Sequence, residues 1–468
     1  MESEGRPLTI ACSTVSVISV IAIAASYWLG SQKPLRPRLA AALSLPAAIF
    51  STGVCLADVA RGIPILLSSV LTRILVPLAT AAVASHLWSG SADLELAIEA
   101  EAALFSRALE GSGITFTTAI IAGQHTVALF ADGVTPMPAD TPLGNKGLPP
   151  LILLAGYGGG AAFFSKNLRA IVSGYGGPVF AVDWRGTGCS PRTKWTAKGS
   201  QEAESFFIDG LLAWRDTLKL GHRRVILAGH SLGGALSLAT WIQNPQLIAG
   251  LVLLSPACLG PGVFAAATAA TDVPVDAASA TNSSSNSALS QNQNERHTAP
   301  FAGRPRLRKA LLSLAKFSWE LGVTPGSMIR SLGPCGLRCV RASLSARSTR
   351  WAKTANGPSP VDKASLNDLG IWLYHTQASP GCGEYALRHI FKPGAEPRDP
   401  LVPRLRAALD ANQHSPIKTP FIFAYGASDW MPVSGGHACV DALQSEGHEA
   451  SVEIVNHAGH HLCEFFLN

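Results

Sequence analysis

Residues 225 to 234, Val-Ile-Leu-Ala-Gly-His-Ser-Leu-Gly-Gly, run from an apolar strand-like segment through a glycine-flanked serine into a helical stretch. A strand that turns directly into a helix leaves almost no room at the corner. Small residues are needed on both sides, here Gly229 and Gly233, and the residue between them is forced into a strained backbone that lifts its side chain above the sheet edge. The pattern calls for a sheet of parallel strands joined by helices and makes Ser231 the candidate nucleophile.

The flanking sequence agrees with that architecture. Short apolar runs at Pro150 to Leu154, Val179 to Val182, Val225 to Ala228, Leu251 to Leu254 and Phe421 to Tyr425 are separated by helix-length intervals, as expected of buried parallel strands. ITFTTAII and TVALFA are strand-like segments ahead of them. The fold class expected is α/β, with a mostly parallel central sheet, a helical cap and one or more N-terminal membrane segments. Its divisions are a hydrophobic membrane or targeting region over 1–92, the first part of the core over 93–260, a low-complexity insertion over 261–304, a cap or lid over 305–415, and the last part of the core over 416–468. The Ser/Asn/Thr/Ala tract at 267 to 300 is too polar and repetitive to pack, and the region from 305 to 413 has helical patterns with Trp, Tyr and Phe.

A serine hydroxyl attacks only when a base takes its proton, so an acid and then a histidine are required downstream. Asp429 follows FIFAYG in a short loop, and His460 follows VEIVNHAG near the end of the chain. His457 and His461 compete for the role of base; Gly459 favours His460 as the exposed, loop-borne one. Asp183, in Asp-Trp-Arg-Gly-Thr-Gly-Cys-Ser, is the competing acid and reads as structural. Donors for a developing oxyanion are expected from the N–H groups of Tyr157, in the glycine run after the first strong strand, and of Leu232. That glycine run lacks the G-x-G-x-x-G helix start and ribose-binding acid of a phosphate loop. His230 reads as packing. The nine cysteines include no CxxC pair and no zinc-finger histidine spacing, so they argue for neither a disulfide framework nor a metal. A serine mechanism needs no metal or cofactor, and no nucleic-acid partner is expected.

Composition places the chain near lipid. Only 15% of residues are charged and 47% are hydrophobic. Residues 8 to 29 carry no charge and are long enough to cross a bilayer, with Lys33, Arg36 and Arg38 following, which would hold that side in the cytosol. The stretches 39 to 57 and 63 to 88 are a second and third apolar segment, either spanning or interfacial. A mitochondrial presequence is the alternative, because Asp58 is the lone acid from 31 to 92. The formal net charge is +6, and Arg304 to Lys309 forms a basic run that suits anionic headgroups or a solvated face.

At these residues the chain resembles the α/β-hydrolase-domain family that includes the lipid-droplet lipase coactivator, N-acyl phosphatidylethanolamine lipase and the mitochondrial cardiolipin deacylase. Beyond the serine turn, the likeness is carried by Glu204 to Asp209 with Trp214-Arg215, by Thr324-Pro325 with Ile329 to Pro334, by Leu373 to Thr376 and by Asp429-Trp430-Met431. It spans about residues 150 to 464. The resemblance implies hydrolysis of acyl esters of phospholipids or lysophospholipids through an acyl-enzyme, or acyl transfer to lysophosphatidic acid. It also implies action at a membrane or lipid-droplet surface, in the endoplasmic reticulum or the mitochondrion. A non-catalytic adaptor that regulates a partner lipase is a further expectation. Coactivator members lack the nucleophilic serine, which this chain keeps at Ser231. The family's acyltransferase signature, His followed by four residues and Asp, is absent after His460 and His461, and the chain ends at Asn468 before the family's closing helix.

Overall fold

A computed structural model of the chain describes residues 92–131, 148–260, 319–320, 322–352, 362–411 and 418–462. The expected membrane segments, the polar tract at 267 to 300 and the basic run at 304 to 309 lie outside the described residues. Among the described residues no helix is long and apolar enough to cross a membrane.

The chain enters through helix α1 (Leu94–Leu109) and a hairpin of β1 (Thr115–Ile121) and β2 (Gln124–Phe130). It then alternates strand and helix: β3 (Leu151–Leu154), α2 (Leu168–Tyr175), β4 (Val179–Val182), α3 (Ser200–Thr217), β5 (Val225–His230), α4 (Leu232–Gln243) and β6 (Ile248–Leu254). Helices α5 (Pro325–Ser331), α6 (Gly336–Ala352), α7 (Lys363–Ala378) and α8 (Ala386–Ile390) follow. A two-residue hairpin, β7 (Phe391–Lys392) with β8 (Glu396–Pro397), leads to α9 (Leu401–Ala411). The chain rejoins the sheet through β9 (Phe421–Gly426), α10 (Ser434–Ser445) and β10 (Ala450–Val455).

The main sheet has eight strands in the order β1-β2-β4-β3-β5-β6-β9-β10. Strands β1, β2 and β4 pair antiparallel in turn, and the pairs from β4 to β10 are parallel. Strand order reverses at β3, which has β4 on one side and β5 on the other. Loops leaving β3 and β5 at their C-terminal ends therefore diverge over one crevice, where open α/β sheets place their sites.

Period-two alternation explains why these strands read as unbroken apolar runs. Ile152 and Leu154 of β3 face one core with Phe180, Trp214 and Leu227, whereas Leu151 and Leu153 face the other with Phe105 and Val127. Both faces are covered by helices, so no position in β3 can be polar. Each fully buried side chain of this kind contributes about 1.5–3 kcal/mol relative to exposure. The largest of them, Trp214, also gives its indole N–H to Thr126 Oγ1 at 2.8 Å, which removes the cost of burying a polar atom.

Two compact units can be distinguished. In the smaller, which includes Pro325–Cys339 and Gln377–Pro380, buried Arg330 donates to the carbonyls of Gln377 and Ser379 at 3.0 and 2.8 Å. The larger contains the sheet and its helices. Within it, Arg192 ties the loop after β4 to α7, donating to Gly188 O at 2.9 Å and Thr376 O at 2.7 Å.

Candidate active site

Strand β5 ends at His230 and α4 begins at Leu232, leaving Ser231 alone at the corner with φ 53° and ψ −116°. A non-glycine residue in that region costs about 1–3 kcal/mol and persists only where its surroundings hold it. They do so here through three backbone bonds. Ser231 N–H donates to Leu254 O at 2.8 Å, and Ser231 O accepts from Ala235 N and Ala257 N, each at 3.0 Å. A Cβ on Gly229 would lie 2.4 Å from Gly233 O, and a Cβ on Gly233 would lie 2.5 Å from Leu154 O. Both glycines are thus fixed by close backbone approach, as the sequence pattern requires.

Asp429 and His460 arrive from the far end of the sheet. Strand β9 closes in a turn in which Asp429 N–H donates to Gly426 O at 2.9 Å, and Ser428 N–H donates to Ala458 O at 2.9 Å, lashing the acid loop to the loop after β10. His460 Nε2 then lies 3.1 Å from Ser231 Oγ, and His460 Nδ1 lies 3.0 Å from Asp429 Oδ1. The carboxylate accepts Nδ1–H, which fixes the tautomer and leaves the Nε2 lone pair facing the hydroxyl. Burial pushes the Asp429 carboxyl upward, but the hydrogen bond and charge of His460, with the Met431 N–H, outweigh it and hold the acid below its usual range. Asp429 is therefore ionised wherever the imidazole is neutral.

His460 sits on a loop as expected but is buried rather than exposed. Trp430 packs on its ring at a centroid distance of 4.4 Å, and His230 Nε2–H donates to its carbonyl at 2.8 Å. The exposed member of the group is His457, at φ 60°, while the ring of His461 lies 5.3 Å from that of His460. His230, read from sequence as packing, clamps the histidine loop to the end of β5. Only a histidine preceding the serine could have signalled this.

The glycine loop after β3 runs beside the serine, since a Cβ on Gly156 would stand 2.9 Å from Ser231 Cβ. Tyr157 is the next residue in that loop. Leu232 opens α4, and first-turn N–H groups have no intrahelical acceptor and carry the positive end of the helix dipole. The two backbone donors named from the sequence thus flank the corner on which Ser231 stands.

Asp183 stands apart from the serine, histidine and Asp429. Its Oδ1 accepts Ala161 N–H at 2.7 Å and its Oδ2 accepts Cys189 N–H at 2.6 Å. Below it, His125 Nε2 and Glu101 Oε2 form a buried pair at 2.6 Å. Glu101, His125, Asp183 and Cys189 bring their donor atoms within 4.8 Å of one another. Backbone N–H groups and the His–Glu pair engage three of them, and burial raises the Cys189 thiol well above its usual value. These contacts make the four residues a buried charge network, in which Glu101 Oε1 is left without a hydrogen-bond partner. Sequence reasoning missed Glu101 and His125. A signal existed in Glu101, which falls on the apolar stripe of α1 with Ala97, Ala100, Leu104 and Phe105.

Residues 149–466 match the family model described as alpha/beta hydrolase fold. A probable 1-acylglycerol-3-phosphate O-acyltransferase of Oryza sativa subsp. japonica is 31% identical over 62% of this chain and 58% of its own length. A 1-acylglycerol-3-phosphate O-acyltransferase of Arabidopsis thaliana is 29% identical over 68% of this chain and 63% of its own. The chain thus spans less than two thirds of the curated relatives it matches. Among solved structures, a carboxylesterase from Bacillus subtilis is 15% identical, covers 79% of this chain and 93% of its own, and superposes with a TM-score of 0.41.

Proposed function

This chain belongs to the α/β-hydrolase family, and from that premise we propose that it is a serine hydrolase acting on the acyl esters of phospholipids or lysophospholipids at a membrane surface. The observation that carries the chemistry is the continuous hydrogen-bonded line from Ser231 Oγ through the His460 ring to Asp429, with both links at or near 3 Å. His460 Nε2 takes the Ser231 proton as Oγ attacks the acyl carbonyl carbon. The N–H groups of Tyr157 and Leu232 receive the oxyanion, each worth about 3 kcal/mol in the transition state. The imidazolium returns its proton to the departing alcohol oxygen, and water, activated by the same ring, releases the fatty acid. Each step uses side chains and backbone groups alone.

Acyl lipid as substrate is supported by the plant relatives, both 1-acylglycerol-3-phosphate O-acyltransferases by name, and a membrane site of action by the uncharged stretch at 8 to 29. Those names also favour a second reading, in which a lysophosphatidic acid hydroxyl takes the place of water. Against it stands the absence of an aspartate five positions beyond either terminal histidine, where Phe465 and Phe466 stand. Incubation of the full-length protein with labelled phospholipid and lysophospholipid, with and without lysophosphatidic acid, separates the two. Free fatty acid that depends on Ser231 and needs no acceptor is the expected product. Diacyl product formed only with acceptor, without free fatty acid, would establish the acyltransferase instead.

A further inference from the structure

The glycine loop that faces Ser231 has no regular strand or helix of its own between β3 and Ala161, so something else must hold it. Its anchor is Asp183. Besides the two N–H bonds already described, the chain wraps the carboxylate so closely that a Cβ on Gly160 would stand 2.6 Å from Oδ1, and one on Gly188 would stand 2.2 Å from Oδ2. Gly160 and Ala161 belong to the loop carrying Tyr157, whereas Gly188 and Cys189 belong to the loop after β4. One carboxylate therefore splices two loops, with Asp183 N–H also donating to His125 O at 2.9 Å.

We propose that Asp183 is a positioning residue for the oxyanion-binding loop, and that His125, held beneath it by Glu101, is the cation that favours the ionised form of this carboxylate in a dry interior. The inference rests on the reading of Ser231 as an acyl-transfer nucleophile. A carboxylate with both oxygens accepting N–H groups makes two charge-assisted bonds. A neutral carboxyl must turn one oxygen into a donor, which then confronts an N–H. Loss of the charge consequently frees either Ala161 or Cys189 and lets the loop drift from the serine.

The neighbours that set this charge can be named from every side. From α1 comes Glu101, from β2 His125, from its own loop Cys189 and Arg192, and from α7 the uncharged Trp372. Burial raises the Asp183 carboxyl, with the Glu101 charge adding to the rise and His125 opposing it, to about 6. Burial would lower His125, but the adjoining Glu101 carboxylate outweighs it and raises the imidazole to about 9. Asp183 is thus ionised above about 6, and His125 remains its cation up to about 9. Activity that depends on the carboxylate must fall as pH drops through the lower value.

The test is the pH profile of kcat and KM for full-length protein with a soluble p-nitrophenyl acyl ester, in wild type, Asp183→Asn and His125→Gln. Protonation of Asp183 should make the wild-type acid limb steeper than that of Asp183→Asn. Asp183→Asn retains one acceptor but turns an N–H toward an N–H. Its kcat should fall about 100-fold, as for a misplaced transition-state contact, with KM little changed and a shallower acid limb. His125→Gln keeps both loop bonds, so it guards against a simple folding defect in the first variant. Removing the cation should move the Asp183 contribution upward by about one to three pH units. An Asp183→Asn enzyme with wild-type kcat, or a His125→Gln profile that superposes on wild type, overturns the proposal. Turnover that survives Ser231→Ala overturns the underlying function instead, so the two failures are distinguishable.

Discussion

Charge and tautomer decide what each residue of the site can do. Asp429 is held below the ordinary carboxylate range by its bond to His460, which outweighs its burial, so it is not the group whose protonation limits activity in mild acid. Its task is to accept Nδ1–H. Asp429→Asn presents an amide that can donate to Nδ1 and so stabilise the wrong tautomer, with the proton on Nε2 facing the serine. The expected loss is about 10,000-fold in kcat with little change in KM, measurable by steady-state kinetics on a soluble ester. A loss below tenfold would show that the carboxylate does not orient the ring. Ser231 and Asp429 were legible in the sequence because each follows an apolar run, and His460 by its order along the chain and the glycine before it; the structure brings the three within hydrogen-bonding distance. The partners of His460 were not. Trp430 and His230 touch it through tertiary folding, and neither spacing nor composition encodes which side chain will lie over a ring.

At the scale of elements, the turn from β5 to α4 is the feature most tightly specified by local sequence. Gly233 lies under backbone carbonyls of β3 and its following loop, with a virtual Cβ 2.5 Å from both Leu154 O and Ala155 O. Those atoms belong to the sheet and cannot rotate away. Gly233→Ala should therefore push α4 off β3, lower the thermal midpoint by several degrees, consistent with about 1–3 kcal/mol of overpacking, and remove most of the turnover. Circular dichroism melting with a parallel ester assay checks this; a variant that keeps both would show the corner to be roomier than its carbonyls indicate. The strands of the sheet were equally legible, since burial on both faces leaves only apolar residues. Their ends were less so. Strand β6 starts at Ile248, ahead of the apolar run that announced it, because pairing with β5 continues through Gly250 and a register shift near Val225. Strand β10 is half exposed at the sheet edge, so its alternation is weak and sequence gives it no sharp outline.

At the scale of the whole molecule, a nucleophile on the fifth strand must meet a base that follows it by 229 residues. The sheet achieves this by placing β9 and β10 next to β6, so that both late loops leave the same edge as the serine. Order along the chain announced the partners, but only the parallel topology makes them neighbours. The buried Glu101–His125–Asp183 network shows the opposite case. Three elements distant in sequence contribute to it; Asp183 read as structural, but the lone trace of its buried partners was a polar residue on the apolar face of α1. Reaction of the full-length protein with a fluorophosphonate, read by intact mass and peptide mapping, tests most directly whether that long-range assembly makes a nucleophile. The account predicts one adduct per chain, on Ser231, formed rapidly in the wild type and at least about 1000-fold more slowly in His460→Ala, in line with the cost of removing a triad member. No adduct on Ser231, or equal rates with and without His460, would contradict it.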